Sequence, residues 1–305
     1  MTIKEFIEKS EGRAKVHKNF IRQAAKEISD GMIVCIPDMH LLDHGPGDDF
    51  YDADSRNIDR FTRFLDFLVG NRTNLHVIQL GDMFELWQTR RNTNLVYQAY
   101  PNILGLMDNE LGPTYVVGNH DIDIYEWYRD QGETFNRKWR HFLPDNQRKK
   151  KRAILEHGFQ ADFFNNQGNW SGAIGRTITE IVGYMEYLDP DIDVILSRAW
   201  DQLKRGFTIY NSGFSATKNP DFNEHEHFKY YIDLMAKYNT GETDDNEEPT
   251  DLVLAVIAHT HKARLIARPR GKRTYYLMDC GSWVNGGHEF GVISGKEFAV
   301  LEWNA

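Results

Sequence analysis

The sequence predicts an α/β protein, and three observations carry that expectation. Short apolar runs rich in branched residues recur along the chain between turn formers, as buried strands do. Between them lie stretches with apolar residues at helical spacing, such as Ile58, Phe61, Phe64, Leu65 and Leu68. Five of the runs are followed at once by side chains able to bind cations, and open α/β sheets place their sites at the carboxyl ends of strands.

Taken in order, Thr2 and Glu5 form a capping box, and Ile3, Phe6 and Ile7, then Phe20, Ile21, Ala24, Ala25 and Ile28, keep helical spacing. An N-terminal helical extension over 1–30 is expected. The run Met32 to Ile36 precedes Asp38. A charged helix follows over 52–69, stopped by Gly70. LHVIQL leads into Gly81 and Asp82, and TYVV into Gly118 and Asn119. The aromatic, charged region 122–146 reads as helix core ring by ring, or as the lining of a site mouth when taken as a group. AIL precedes Glu156 and His157.

The stretch of about 161–251 reads as an inserted, largely helical lid. Ile174, Ile178, Ile181, Val182, Met185 and Leu188 share one spacing, and a second helix is expected over 224–238. His225 and His227 in EHEHF diverge on a helix and read as surface residues. LVLAVIA then leads into His259, and the remaining chain alternates with turns at 269–271 and 286–287, as antiparallel strands do. Residues 1–305 read as a single elaborated domain.

Composition narrows the function classes. The chain of 305 residues, 41% hydrophobic and 13% aromatic, can bury a sizeable core. A net charge of −9 argues against dedicated nucleic-acid binding. The basic run 148–152 is the exception and reads first as a solvated loop or helix end, with attraction to an anionic lipid surface as the alternative. No run reaches the roughly 18 apolar residues of a membrane span, so any membrane contact would be peripheral. The charged N-terminus and only two cysteines, Cys35 and Cys280, both in apolar runs, point to a reducing, cytoplasmic setting.

Asp38 and His40 in DMH, Asp82 in GDMFE, Asn119 in GNHD, His157 in EHG, and His259 and His261 in AHTH form the candidate ligand set. In DMH and HTH the outer residues sit at i and i+2, on one face of an extended chain. Asp82, the carboxylate in the middle of the series, is expected to bridge two cations. Asp38, His40 and one late histidine would complete the first site, and Asn119, His157 and the other late histidine the second. Mixed imidazole and carboxylate suits first-row cations better than Ca. Two divalent ions are therefore expected, Mn first, with Fe, Zn, Co or Mg as alternatives. A pair about 3.5–4 Å apart can clamp a phosphoryl group and acidify a water.

The series DMH, GDMFE, GNHD, HG and AHTH resembles the calcineurin-like metallophosphoesterase superfamily. DMHL, GDMFELW and AHTHKARLI followed by CGSW are most similar to the branch holding UDP-2,3-diacylglucosamine pyrophosphohydrolases. Ala258 stands where the pattern has Gly, and Phe159 follows HG where the lipid-A enzymes carry Asp. The resemblance decides between sheet architectures that periodicity leaves open. It implies a four-layer α/β/β/α sandwich of two mixed β-sheets flanked by helices.

It also implies hydrolysis of a phosphoester or pyrophosphate bond by a metal-bridging hydroxide. His120 would be the general acid, with Asp121 holding its imidazole charged and oriented. The substrate would be a phosphorylated small molecule or a lipid-linked one, UDP-diacylglucosamine-like or a nucleotide. A catalytically silent scaffold of the same fold, used for protein binding, is the other class. It would tolerate loss of ligands or of the acid, and this chain keeps them all.

Overall fold

A computed structural model describes residues 1–45, 48–51, 56–86, 93–118, 120, 137–138, 140–143, 151–159, 161, 224–241 and 250–304. The chain packs as two compact units, Met1–Gln160 with Tyr231–Ala305, and Ala161–Tyr230.

The first unit is built on two sheets among the described residues. Seven strands make the larger: β1 (Ala14–Gln23), β2 (Met32–Ile36), β3 (Leu75–Gln79), β4 (Thr114–Val116), β5 (Arg137–Lys138), β11 (Glu289–Ser294) and β12 (Glu297–Trp303). Their order is β1-β12-β11-β2-β3-β4-β5. The smaller has the order β6-β7-β8-β10-β9, from β6 (His141–Leu143), β7 (Ala153–Leu155), β8 (Leu254–Ile257), β9 (Arg264–Arg270) and β10 (Arg273–Asp279). Both are mixed: β2, β3, β4 and β5 run parallel, as do β7, β8 and β10, while β11 and β12 pair antiparallel.

The apolar runs are continuous because both faces of the larger sheet are covered. Met32, Val34 and Ile36 of β2 face one core with Phe61, Phe64, Leu65 and Leu68 of α2 (Arg56–Gly70). Ile33 and Cys35 face the second sheet, against Leu155, Val256, Met278 and Cys280. Helix α1 (Ile3–Lys9) closes the first core, with the Phe6 ring 5.0 Å from Phe67 and 5.9 Å from Phe290. Its expected capping box is present: Glu5 N donates to Thr2 Oγ1 at 3.1 Å and Thr2 N to Glu5 Oε2 at 2.8 Å. Two short helices, α3 (Thr93–Ala99) and α4 (Pro101–Gly105), lie between β3 and β4 in sequence. From Tyr231 onward, helix α5 (Glu224–Thr240) is fastened to the second sheet. Tyr238 meets the Phe142 ring at 5.2 Å, and Leu252 N donates to Asn239 Oδ1 at 2.6 Å. Helices, sheet, sheet and helix make the expected four-layer sandwich.

The helical expectation over 1–30 is corrected beyond α1. Ala14–Gln23 is strand β1, paired antiparallel with β12 through Ala14↔Trp303 and Ile21↔Ala299, with an irregularity between Val16 and Ile21 where Lys18 and Asn19 take φ of 45° and 59°. The partner that wins this segment is about 280 residues away, so local spacing cannot register it. The charged helix is described over Arg56–Gly70, and residues 52–55 lie outside the described residues.

The expected helices between Ile174 and Leu203, in the second unit, and most of the aromatic region 122–146, in the first, lie outside the described residues. His227 is buried, not at the surface as its spacing suggested. Among the described residues no helix is long and apolar enough to cross a membrane.

Candidate metal centre

The parallel strands β2, β3 and β4 end on one edge, and β7 and β8 end beside it. Asp38 follows β2, Asp82 follows β3, His120 follows β4, His157 follows β7, and His259 and His261 follow β8. The fold therefore gathers the sequence-spaced motifs into one centre. Asn119 and Asp121 lie outside the described residues.

Three triads emerge among the described residues, each with donor atoms within 4.8 Å of one another: His40 with Glu85 and His120, Asp38 with His40 and His261, and Asp82 with His157 and His259. The two aspartate triads share a middle. Asp38 Oδ1 lies 3.5 Å from His157 Nε2, 3.7 Å from His261 Nε2 and 3.9 Å from His40 Nε2. Asp82 Oδ2 lies 3.0 Å from His157 Nε2 and 3.7 Å from His40 Nε2. Both carboxylates thus reach histidines of both triads, whereas the sequence singled out Asp82 alone. The triads also assign the late histidines, His261 to the side of Asp38 and His259 to the side of Asp82.

Backbone conformation adds a second mark. His40, Asp82, His259 and His261 have φ of 48°, 50°, 70° and 53°, in the left-handed region that side chains disfavour. Such strain costs on the order of 1 kcal/mol or more per residue and persists where surroundings over-determine it, typically at functional sites. Two glycines make room. Gly81 takes φ 93°, and a Cβ there would stand 2.6 Å from Gly118 N. At Gly118 the need is space and not φ, for a Cβ would meet Asp82 N and Oδ1 at 2.1 Å. Ala258, in place of the pattern's glycine, has no positive φ and fits.

The residues fit a pair of cations. Asp38 Oδ1 and His157 Nε2 are buried with no hydrogen-bond partner among the described residues, although His157 Nε2 stands 3.0 Å from a carboxylate oxygen. Buried polar atoms are normally satisfied, so a donor pair left facing a common point marks a ligand position. His157 Nδ1 is tied to Leu80 O at 2.8 Å and His40 Nδ1 to Glu85 Oε2 at 3.2 Å, which turns each Nε2 toward the centre. Metal-binding histidines are commonly oriented through their other nitrogen in this way.

Electrostatics agree. Burial opposes the charged form of every group, and opposite charges override it. His157 and then His261 hold Asp38 down to about 2, and His157 and His120 hold Asp82 well below its usual range. Glu85, Asp82 and Asp38 raise His40 to about 9, and Asp82 with Asp38 raises His157 to about 10.

Glu85 is the residue that sequence reasoning passed over. Its Oε2 lies 3.2 Å from His40 Nδ1 and 2.6 Å from His120 Nδ1, and the two histidines hold its carboxyl down to about 2 against burial. The signal was present three positions after Asp82 in GDMFE. His120 N donates to Asp82 Oδ1 at 2.7 Å, while its imidazole, about a quarter exposed, packs edge-on against His40 at 4.5 Å. Phe159, the departure after HG, is buried with its ring 5.8 Å from that of His157 and 6.5 Å from that of His259. In the basic run, Lys151 stands 4.2 Å over the Phe142 ring and Arg152 pairs with Asp251, so these two are engaged within the protein. Residues 148–150 lie outside the described residues.

No family model matches the chain, and no curated protein matches it. Among solved structures it is similar to the crystal structure of a dimetal phosphatase from Danio rerio, with a TM-score of 0.44 and 10% identity, over 91% of this chain and 100% of that chain. That likeness is too slight to assign a function.

Proposed function

We propose that this protein is a metal-dependent phosphoesterase of the calcineurin-like kind, holding two divalent cations between Asp38, His40 and His261 on one side and Asp82, His157 and His259 on the other, with Asn119 of the GNHD motif a further candidate ligand. The observation that carries the reading is the pair of carboxylate–imidazole triads around buried atoms without hydrogen-bond partners. Bound there, the cations would supply Lewis acidity toward phosphoryl oxygens and an acidified water.

The chain's own residues do the rest. Glu85 Oε2, 2.6 Å from His120 Nδ1, orients the ring and leaves Nε2 to act on the departing oxygen. Asp82 ties that histidine to the centre by accepting from its backbone N–H. The buried carboxylates of Asp38 and Asp82 fix where positive charge accumulates. The mixed donor set suits a first-row divalent cation, with Mn the first to be tried and Fe, Zn, Co or Mg the alternatives. Within the class, the motif resemblance supports a pyrophosphate of the UDP-diacylglucosamine kind or a nucleotide, and the insertion of about 161–251 keeps its sequence reading as a lid.

Metal-reconstituted protein is expected to bind close to two Mn per chain and to hydrolyse an aryl phosphate ester, with nucleotide-sugar pyrophosphates and nucleotides as the next substrates to compare. Elemental analysis finding no metal, together with no turnover on any of them, would sink the reading and favour a non-catalytic scaffold.

Metal removal should also change how stability follows pH. In the metal-free protein, His40 and His157 are raised from 6.5 to about 9 and about 10, so their stabilising contribution is full below pH 6.5 and fades as pH rises through those values. Asp38 and Glu85 are lowered to about 2 from 3.8 and 4.5, so theirs is present above those ordinary values and lost as pH falls through about 2. Metal-free protein should be most stable between about pH 4.5 and 6.5 and weaken toward alkaline pH. Mn-loaded protein should lack the alkaline loss, because the ligands bind deprotonated. Thermal melts across pH with chelator or Mn check this, and identical alkaline losses would count against it.

A further inference from the structure

We propose that Thr260, clamped by Asp279 and Arg264, is a positioning residue that holds His259 and His261 in their ligating conformation and thereby sets cation affinity. The inference rests on the metal-dependent reading above.

The two histidines flank Thr260, and both have left-handed backbone, φ 70° and 53°. Two such residues so close together need contacts that leave the segment no alternative. One is Asp38 Oδ2, which accepts from His259 N at 2.7 Å. The others converge on Thr260. Its N–H donates to Ala258 O at 2.8 Å, and its hydroxyl donates to Asp279 Oδ2. The hydroxyl oxygen accepts from Arg264 Nη2 at 3.0 Å and from Lys262 N at 3.3 Å. One donor and two acceptor sites exhaust what a hydroxyl offers.

The anchor itself is fixed. Asp279 is buried at the end of β10, where its backbone pairs with Ile257 of β8 and Arg264 of β9. Its carboxylate lies 3.5 Å from Arg264 Nε and accepts from Gly281 N at 3.4 Å. The sequence alternates His-Thr-His, so the flanking side chains go to the two triads while Thr260 goes to this clamp. Releasing it would free both histidines at once, one from each triad.

The test is titration of metal-free protein with Mn²⁺. Thr260→Val keeps the shape and loses every hydroxyl bond. It should weaken Mn²⁺ binding by about 10–100-fold, as loss of an orienting partner does. Thr260→Ser should restore binding to the wild-type level. Melting of the metal-free variants provides the second readout: a merely structural Thr260 would lower the melting temperature and leave the affinity of folded protein unchanged. Wild-type affinity in folded Thr260→Val would overturn the inference while leaving the metal reading intact. Should that variant not fold, Arg264→Met, which removes one of the three bonds, must still weaken Mn²⁺ binding, and unchanged affinity there is equally fatal. Wild-type protein that binds no Mn²⁺ would overturn the metal reading and the inference with it.

Discussion

Asp82→Asn is expected to lower the occupancy of both cations and to reduce turnover by at least about 10²-fold, because it withdraws a charge facing histidines of both triads from a site whose Lewis acidity is worth several kcal/mol. The substitution keeps the side chain's shape. An amide oxygen can still accept from His120 N, but the amide nitrogen then presents hydrogens where Oδ2 now faces His157 Nε2 at 3.0 Å. His157→Ala is the comparison: it removes one donor of the Asp82 triad and should weaken one cation more than the other. Elemental analysis after reconstitution and Mn²⁺ titration separate the two patterns. Full metal content and full rate in Asp82→Asn would show that the carboxylate is not the shared ligand.

His120→Ala should do the reverse, keeping both cations while lowering turnover by roughly the 10²–10⁴-fold of a lost general acid. The expectation follows from its connections. The ring stands beside Glu85 through Nδ1, in a group with His40 and Glu85 and in neither aspartate triad, and its backbone N–H donates to Asp82. The loss should be large for an alkyl phosphate ester and small for a nitrophenyl ester, whose leaving group departs without a proton. An equal loss on both substrates, or loss of metal, would make His120 a ligand or a structural residue.

How much of this centre could be read in the chain depends on the kind of interaction involved. Apolar runs ending in ligand-type side chains are local patterns, and β2, β3, β4, β7 and β8 all formed where those runs stood. Asp38, His40, Asp82, His157, His259 and His261 stand out as candidates for the same reason, and the fold brings them together. Glu85 does not, since its role depends on a second histidine brought in from the end of β4. Thr260 likewise shows nothing in sequence until β10 carries Asp279 beneath it.

The sequence by itself therefore determined which residues are candidate ligands and which strands carry them, because donor chemistry and apolar periodicity are properties of short segments. Only the tertiary structure decided that Ala14–Gln23 is a strand, that His261 sides with Asp38 and His259 with Asp82, and that Glu85 serves both His40 and His120. Each of those outcomes is fixed by a partner distant in the chain: β12 for β1, β2 and β3 for the late histidines, and the turn after β4 for Glu85. Pairing and burial across such separations depend on how the whole chain closes.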